Sequence, residues 1–223
     1  MRLLGRTAPV LGLACLAYVP TAVAQTTGFE TFKWYIGGQA GVTIFETQSQ
    51  TSGGIFTAGG NLLITAKRTG LLITVEEGFK RNQLSAMEDA TAAGGTRSVT
   101  FNDIRKYSFS LLAFPFRTIA QPYIGVGIGW LQTVKEYPAG TTPATAGAAQ
   151  SLAESAGSLG FGSMTAGVQA RVDRFMLFGQ YQITSAAAAG KLFVGSTHAF
   201  TAGMRISLGG AREGVSGASS GSD

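Results

Sequence analysis

Between residues 121 and 132 the chain reads QPYIGVGIGWLQ, and side-chain size alternates there with a period of two. In an extended strand Ile124, Val126, Ile128 and Trp130 fall on one face, and Tyr123, Gly125, Gly127 and Gly129 on the other. The first face suits hydrocarbon. The second leaves room for little more than backbone, as the inside of a narrow closed sheet requires. A sheet built of such strands is a membrane barrel.

The first 24 residues are a separate piece. Arg2 and Arg6 precede an apolar run over 8–19, then Pro20 and the small-residue site Ala22, Val23, Ala24, which is the layout of a secretory signal. The run falls short of the ~20 residues that a spanning helix needs, so we expect cleavage after Ala24 rather than a permanent anchor. Three positions ahead of Cys15, where a lipoprotein acylation box favours a large aliphatic residue, stands Gly12. Cleavage removes the only cysteine, which excludes disulfides and thiol catalysis from the mature chain. It also lowers Lys+Arg from 17 to 15 against 12 acids, leaving a net +3, too small and dispersed to indicate nucleic acid.

After residue 24 no stretch has the ~18 consecutive apolar residues of a membrane helix, so any membrane segment has to be a strand. Eight segments alternate: 33–48, 55–67, 71–83, 98–114, 121–132, 160–172, 175–184 and 196–208. Connections at 67–70, 115–121 and 173–174 are short. Those at 47–54, 84–97, 135–159 and 185–195 are mostly longer and rich in Gly, Ala, Ser and Thr. Short turns at one end and long loops at the other are the habit of an outer-membrane barrel. Trp34 and Trp130 then lie on the lipid face near opposite interfaces, where aromatic girdles form. A soluble sandwich with one buried face also alternates, but accounts less well for the paired loop lengths.

Three stretches carry a family likeness: WYIGGQAGV at 34–42, PYIGVGIGW at 122–130 and HAFTAGMRISL at 198–208. With them the chain resembles the small eight-stranded outer-membrane β-barrel proteins of Gram-negative-type bacteria, the OmpA-like and OmpX-like group. The resemblance implies an all-β, transmembrane, antiparallel up-and-down barrel over 25–208 in the bacterial cell outer membrane, with no cofactor. It implies outer-membrane lipid, the barrel assembly machinery and periplasmic chaperones as partners. Thr201, Gly203, Ile206 and Leu208 match the closing-strand signal that this machinery reads, although the family more often ends on a terminal aromatic. The tail, 209–223, is Gly/Ser-rich, without an apolar face, and is expected to be disordered on the periplasmic side.

An eight-stranded barrel is wide enough only for its own side chains. The inward polar candidates are Gln39, Asn61, Lys67, Glu76, Lys80, Lys106, Gln169, Arg171, Gln180, Gln182 and Arg205. If strands three and four pair with numbers summing to 182, Glu76 faces Lys106 and Glu77 faces Arg105. Buried charges persist when paired, so such a network plugs the lumen. The surplus of inward cations over Glu76 supports the alternative, a small-solute channel that favours anions. Strict alternation points Glu77 at lipid, which predicts either a bulge at Glu76, Glu77 and Gly78 or a strand that leaves the bilayer early. Ser196 and His198 share the lipid face near the outer end and raise a second alternative, a lipid-active hydrolase. No carboxylate is placed in sequence to orient the imidazole, so we expect no catalytic residues. One histidine and no cysteine make no metal cluster, and Gly125, Gly127 and Gly129 lie within a strand, not at a nucleotide loop.

Overall fold

Backbone N–H and C=O groups facing hydrocarbon have no water to bond, so a sheet in a bilayer must pair every edge. In the computed structural model, which describes residues 32–116, 119–172 and 174–211, the sheet does so. The expected leader over 1–24 and the tail beyond 211 lie outside these residues. The elements are β1 (Phe32–Thr47), β2 (Gln50–Ala66), β3 (Thr69–Phe79), β4 (Gln83–Glu88), β5 (Thr96–Ala113), β6 (Ala120–Pro138), α1 (Ala146–Ala156), β7 (Ser158–Val172), β8 (Phe175–Thr184) and β9 (Phe193–Ala211). All neighbours are antiparallel and β1 closes on β9. Both β3 and β4 pair with β5, so they are two halves of one stave and the barrel has eight. Residues 209–211, expected in the tail, continue β9 beside β1.

Paired residues give the stagger. From Trp130 on β6 the partners run through Tyr107, Val75, Gly60, Gly38, Met204, Leu177 and Ala170 to Ala120, back on β6 ten residues lower. Ten residues of shear over eight strands set a tilt of about 40°. The exposed large side chains form one belt, including Ile36, Phe109, Leu111, Ile124, Val126, Ile128, Met164 and Leu177. Trp34 and Trp130 are both exposed on it, at opposite ends and roughly 20 Å apart along the axis. So broad an apolar belt has no soluble use, and the barrel spans a membrane.

The third stave departs from expectation. The predicted bulge at Glu76, Glu77 and Gly78 is absent: pairing of β3 with both neighbours is continuous there. Glu77 instead sits half-buried at the outer edge of the belt, with its carboxylate 3.6 Å from Arg105. The stave breaks just above, at residues 80–82, where Asn82 has φ +56. Two side chains take over the missing ladder: the Lys80 amide donates to Asp103 Oδ1 at 3.0 Å and the Asn82 amide to Asn102 Oδ1 at 2.8 Å. The strand therefore leaves the bilayer shortly after Glu77, and an extramembrane sheet of β4, β5 and β6 continues above it.

Two expected outer loops are also ordered. The stretch 47–54 is mostly strand, joined by a two-residue turn at 48–49. Within 135–159, β6 runs on to Pro138 and α1 follows, because AGAAQSLAESA is dominated by alanine, the strongest helix former. Ala149, Ala153 and Ala156 of α1 are buried over the barrel mouth.

The β1–β9 seam depends on glycine. A Cβ on Gly203 would stand 2.2 Å from Gly38 O, and one on Gly37 2.1 Å from Met204 O. No side chain fits at that approach. A Cβ on Gly179, by contrast, would have nothing within 4 Å. Gly203→Ala is expected to lower stability by about 1–3 kcal/mol, the usual cost of overpacking. Gly179→Ala should stay within about 0.5 kcal/mol of wild type. Urea unfolding of the refolded barrel in micelles measures both.

Candidate functional site

Inward positions meet at the axis. Gln182 Oε1 accepts from Lys106 Nζ at 2.9 Å, and the same ammonium lies 2.6 Å from Glu76 Oε2. Glu76 Oε1 accepts from Gln39 Nε2 at 2.7 Å, and Gln39 Oε1 from Asn61 Nδ2 at 3.0 Å. Asn61 Oδ1 accepts from Arg205 Nε at 2.6 Å, Arg205 Nη1 reaches Gln169 Oε1 at 3.5 Å, and Gln169 Nε2 donates to Gln121 Oε1 at 3.2 Å. These eight side chains come from β8, β5, β3, β1, β2, β9, β7 and β6 respectively. Each stave therefore supplies one member of a single hydrogen-bonded chain across the lumen.

Apolar layers lie above and below it. The outer one gathers Phe45, Ile55, Phe101, Leu131, Phe161 and Phe193 under Ala153 and Ala156 of α1. The inner one joins Tyr35, Leu63, Leu72, Leu112, Phe114, Tyr123 and Met176. Arg205 stands at the junction, fully buried, with its guanidinium carbon 3.6 Å above the Phe178 ring centroid. Cation–π contact offsets part of the cost of burying that charge. Its Nη2 has no hydrogen-bond partner, and among the described residues no carboxylate pairs with it.

Of the inward polar candidates, Gln39, Asn61, Glu76, Lys106, Gln169, Gln182 and Arg205 belong to this chain, and Gln180 accepts from Tyr123 OH at 3.0 Å beside it. Three expectations are corrected. Lys80 is exposed above the outer interface, with Nζ on Gly54 O at 3.2 Å, because the stave has already broken. Arg171 keeps inward parity but lies at the inner end of β7, where the lumen opens to solvent, and is exposed. Lys67 is likewise exposed, in a turn with φ +51. Sequence reasoning missed Gln121 and both apolar layers; inward phenylalanines at 45, 101 and 161 were the available signal. Along the closing strand Thr201 faces the lumen, Gly203 lies in the seam, and Ile206 and Leu208 face lipid.

Tyr181 OH and His198 Nδ1 are 2.6 Å apart on the lipid face, with Phe200 against Tyr181 at 4.9 Å. Among the described residues no carboxylate contacts His198, so no triad is assembled there.

Comparison with solved structures places this architecture. The chain is similar to Neisserial surface protein A: TM-score 0.52, 10% identity, 78% of this chain and 96% of that one covered. The fold is that of a small outer-membrane barrel. A second similar structure is the outer membrane protein OprG from Pseudomonas aeruginosa, at TM-score 0.43 and 10% identity over 82% of this chain and 96% of that one. Comparison with family models and with curated proteins gives no match.

Outside the membrane, Asp89 and Arg97 fasten the β4–β5 hairpin. Thr91 donates to Asp89 Oδ1 from its hydroxyl at 2.6 Å and its amide at 2.8 Å; Arg97 Nε reaches Oδ2 at 2.5 Å and Nη1 reaches Ala139 O at 2.6 Å. The Thr91 hydroxyl first, then Arg97, hold the Asp89 carboxyl down to about 2 from an ordinary 3.8. A depressed carboxylate stabilises the fold above its unfolded pKa, and the contribution is lost as pH falls through the folded one. The hairpin should therefore loosen as pH drops from about 4 to below about 2. Amide exchange at Thr91 should rise across that window in wild type and be already fast in Asp89→Asn. In the lumen, Glu76→Gln alone strands Lys106 and should cost about 3–5 kcal/mol, whereas pairing it with Lys106→Met should recover part of the loss. A double-mutant cycle by urea unfolding measures the coupling.

Proposed function

We propose that the protein is a bacterial outer-membrane barrel with a structural or surface-interaction role, neither catalytic nor conducting. The observation that carries this reading is the eight-membered side-chain chain that crosses the lumen between two apolar layers. Outer-membrane lipid surrounds the belt. The barrel assembly machinery and periplasmic chaperones act on the chain before closure, with Thr201, Gly203, Ile206 and Leu208 as the recognised strand. Surface contacts fall to the extramembrane sheet, where Leu84 and Tyr137 are exposed, and to the outward face of α1 with Leu152.

Planar-bilayer recording tests the sealed lumen. Wild type is expected to add no discrete conductance steps in symmetric salt, with folding confirmed by a boiling-dependent gel shift. One observation favours a second reading, an anion-leaning channel: the buried guanidinium of Arg205 without a described carboxylate partner. That reading expects steps with anion preference that weaken in Arg205→Gln, and their appearance in wild type would displace the sealed-barrel proposal.

A further inference from the structure

Charge on this barrel is sorted by end. At the outer end acids and bases intermingle: Glu77 lies beside Arg105 and Asp89 on Arg97. At the inner end Lys33, Lys67, Arg68, Arg171 and Arg174 are all exposed, and none of the described acidic residues lies there. The sequence places two acids and one further base in the adjoining segments, Glu30 ahead of β1, Asp173 between β7 and β8 and Arg117 between β5 and β6, all outside the described residues; with them included, cations outnumber acids six to two.

These cations form an arc, not a scatter. Lys33 pairs across the ladder with Thr65, one turn from Lys67 and Arg68. On its other side Lys33 pairs with Gly210 of β9, and Ser207 of the same strand donates its amide to Arg174 O at 2.9 Å. The arc thus runs from β7 through β8, β9, β1 and β2 to β3. Immediately beside it on the lipid face stand Phe32, Trp34, Val172, Phe175 and Leu208, all exposed. Aromatic and basic side chains adjoining at one level match the layer where acyl chains meet headgroups.

We propose that this arc binds the phosphates of anionic phospholipid headgroups in the leaflet surrounding the inner end. The arc is continuous with the belt already in contact with lipid, and its sign complements that headgroup. Each Lys or Arg near an anionic surface adds roughly five-fold to association, an effect that fades beyond the Debye length and with added salt. The outer end, with its interleaved acids, carries no such preference. The proposal rests on the membrane reading above.

The two tryptophans report the two ends separately. Refolded full-length protein carrying Trp130→Phe leaves Trp34 as the reporter, and Trp34→Phe leaves Trp130. Each is reconstituted in vesicles containing brominated phosphatidylglycerol or brominated phosphatidylcholine in a non-brominated background, the same in both leaflets so that orientation is immaterial. Quenching of both tryptophans by either lipid confirms residence in the bilayer, which tests the membrane reading independently. At low salt, Trp34 is expected to show a several-fold preference for the anionic lipid, abolished by salt on the order of 0.5 M and by Lys33→Gln/Arg68→Gln/Arg174→Gln. Trp130 should show none. Equal quenching of Trp34 by the two lipids, an equal preference at Trp130, or a preference that survives the triple variant would each overturn the proposal. Binding of soluble polyglutamate by wild type without any lipid preference at Trp34 would assign the arc to a periplasmic polymer and overturn it as well.

Discussion

Hydrocarbon cannot accept or donate a hydrogen bond, so the β1–β9 pairing governs everything else in this molecule. An open edge in the bilayer would leave a row of unpaired N–H and C=O groups, each costing several kcal/mol. Closure with eight staves and ten residues of shear then fixes a narrow interior. Inward glycines such as Gly37 and Gly203 follow from that narrowness, since neighbouring backbone already occupies the place of a Cβ.

The same narrowness explains the lumen's layering. Glu76, Lys106 and Arg205 are tolerable in a dry interior only with partners, and uncharged amides of Gln39, Asn61, Gln169 and Gln182 supply most of them. Amides both donate and accept, so one chain can cross between staves without further charge. Apolar side chains of the same staves close the two ends, Phe45, Phe101, Phe161 and Phe193 above the network and Tyr35, Leu63, Leu72 and Tyr123 below it.

Period-two alternation made the staves, the lipid face and the Glu76–Lys106 register legible in the sequence, because side-chain parity is a local property of an extended backbone. Parity stops being informative where a stave stops being surrounded. Lys80 and Arg171 keep the expected phase or lie close to it, yet one stands past a break and the other at an open rim. The outer apolar layer escaped notice for a related reason: Phe45, Phe101 and Phe193 point inward, against the simple pattern of polar inside and apolar outside. The helix in residues 146–156 hid in a stretch whose small side chains suit a loop equally well until a surface is offered for Ala149, Ala153 and Ala156 to cover.

The polar chain has one member per stave, and β9 comes last in the sequence. Until β9 docks, Asn61 and Gln169 have no Arg205 between them, and the links among Asn61, Gln39, Glu76, Lys106 and Gln182 stay unjoined to the Gln169–Gln121 link. Closing the backbone seam and completing the interior are consequently one event. A barrel stalled one strand short lacks both its last ladder and the centre of its plug, so cooperativity alone separates the finished barrel from the unfinished one in stability.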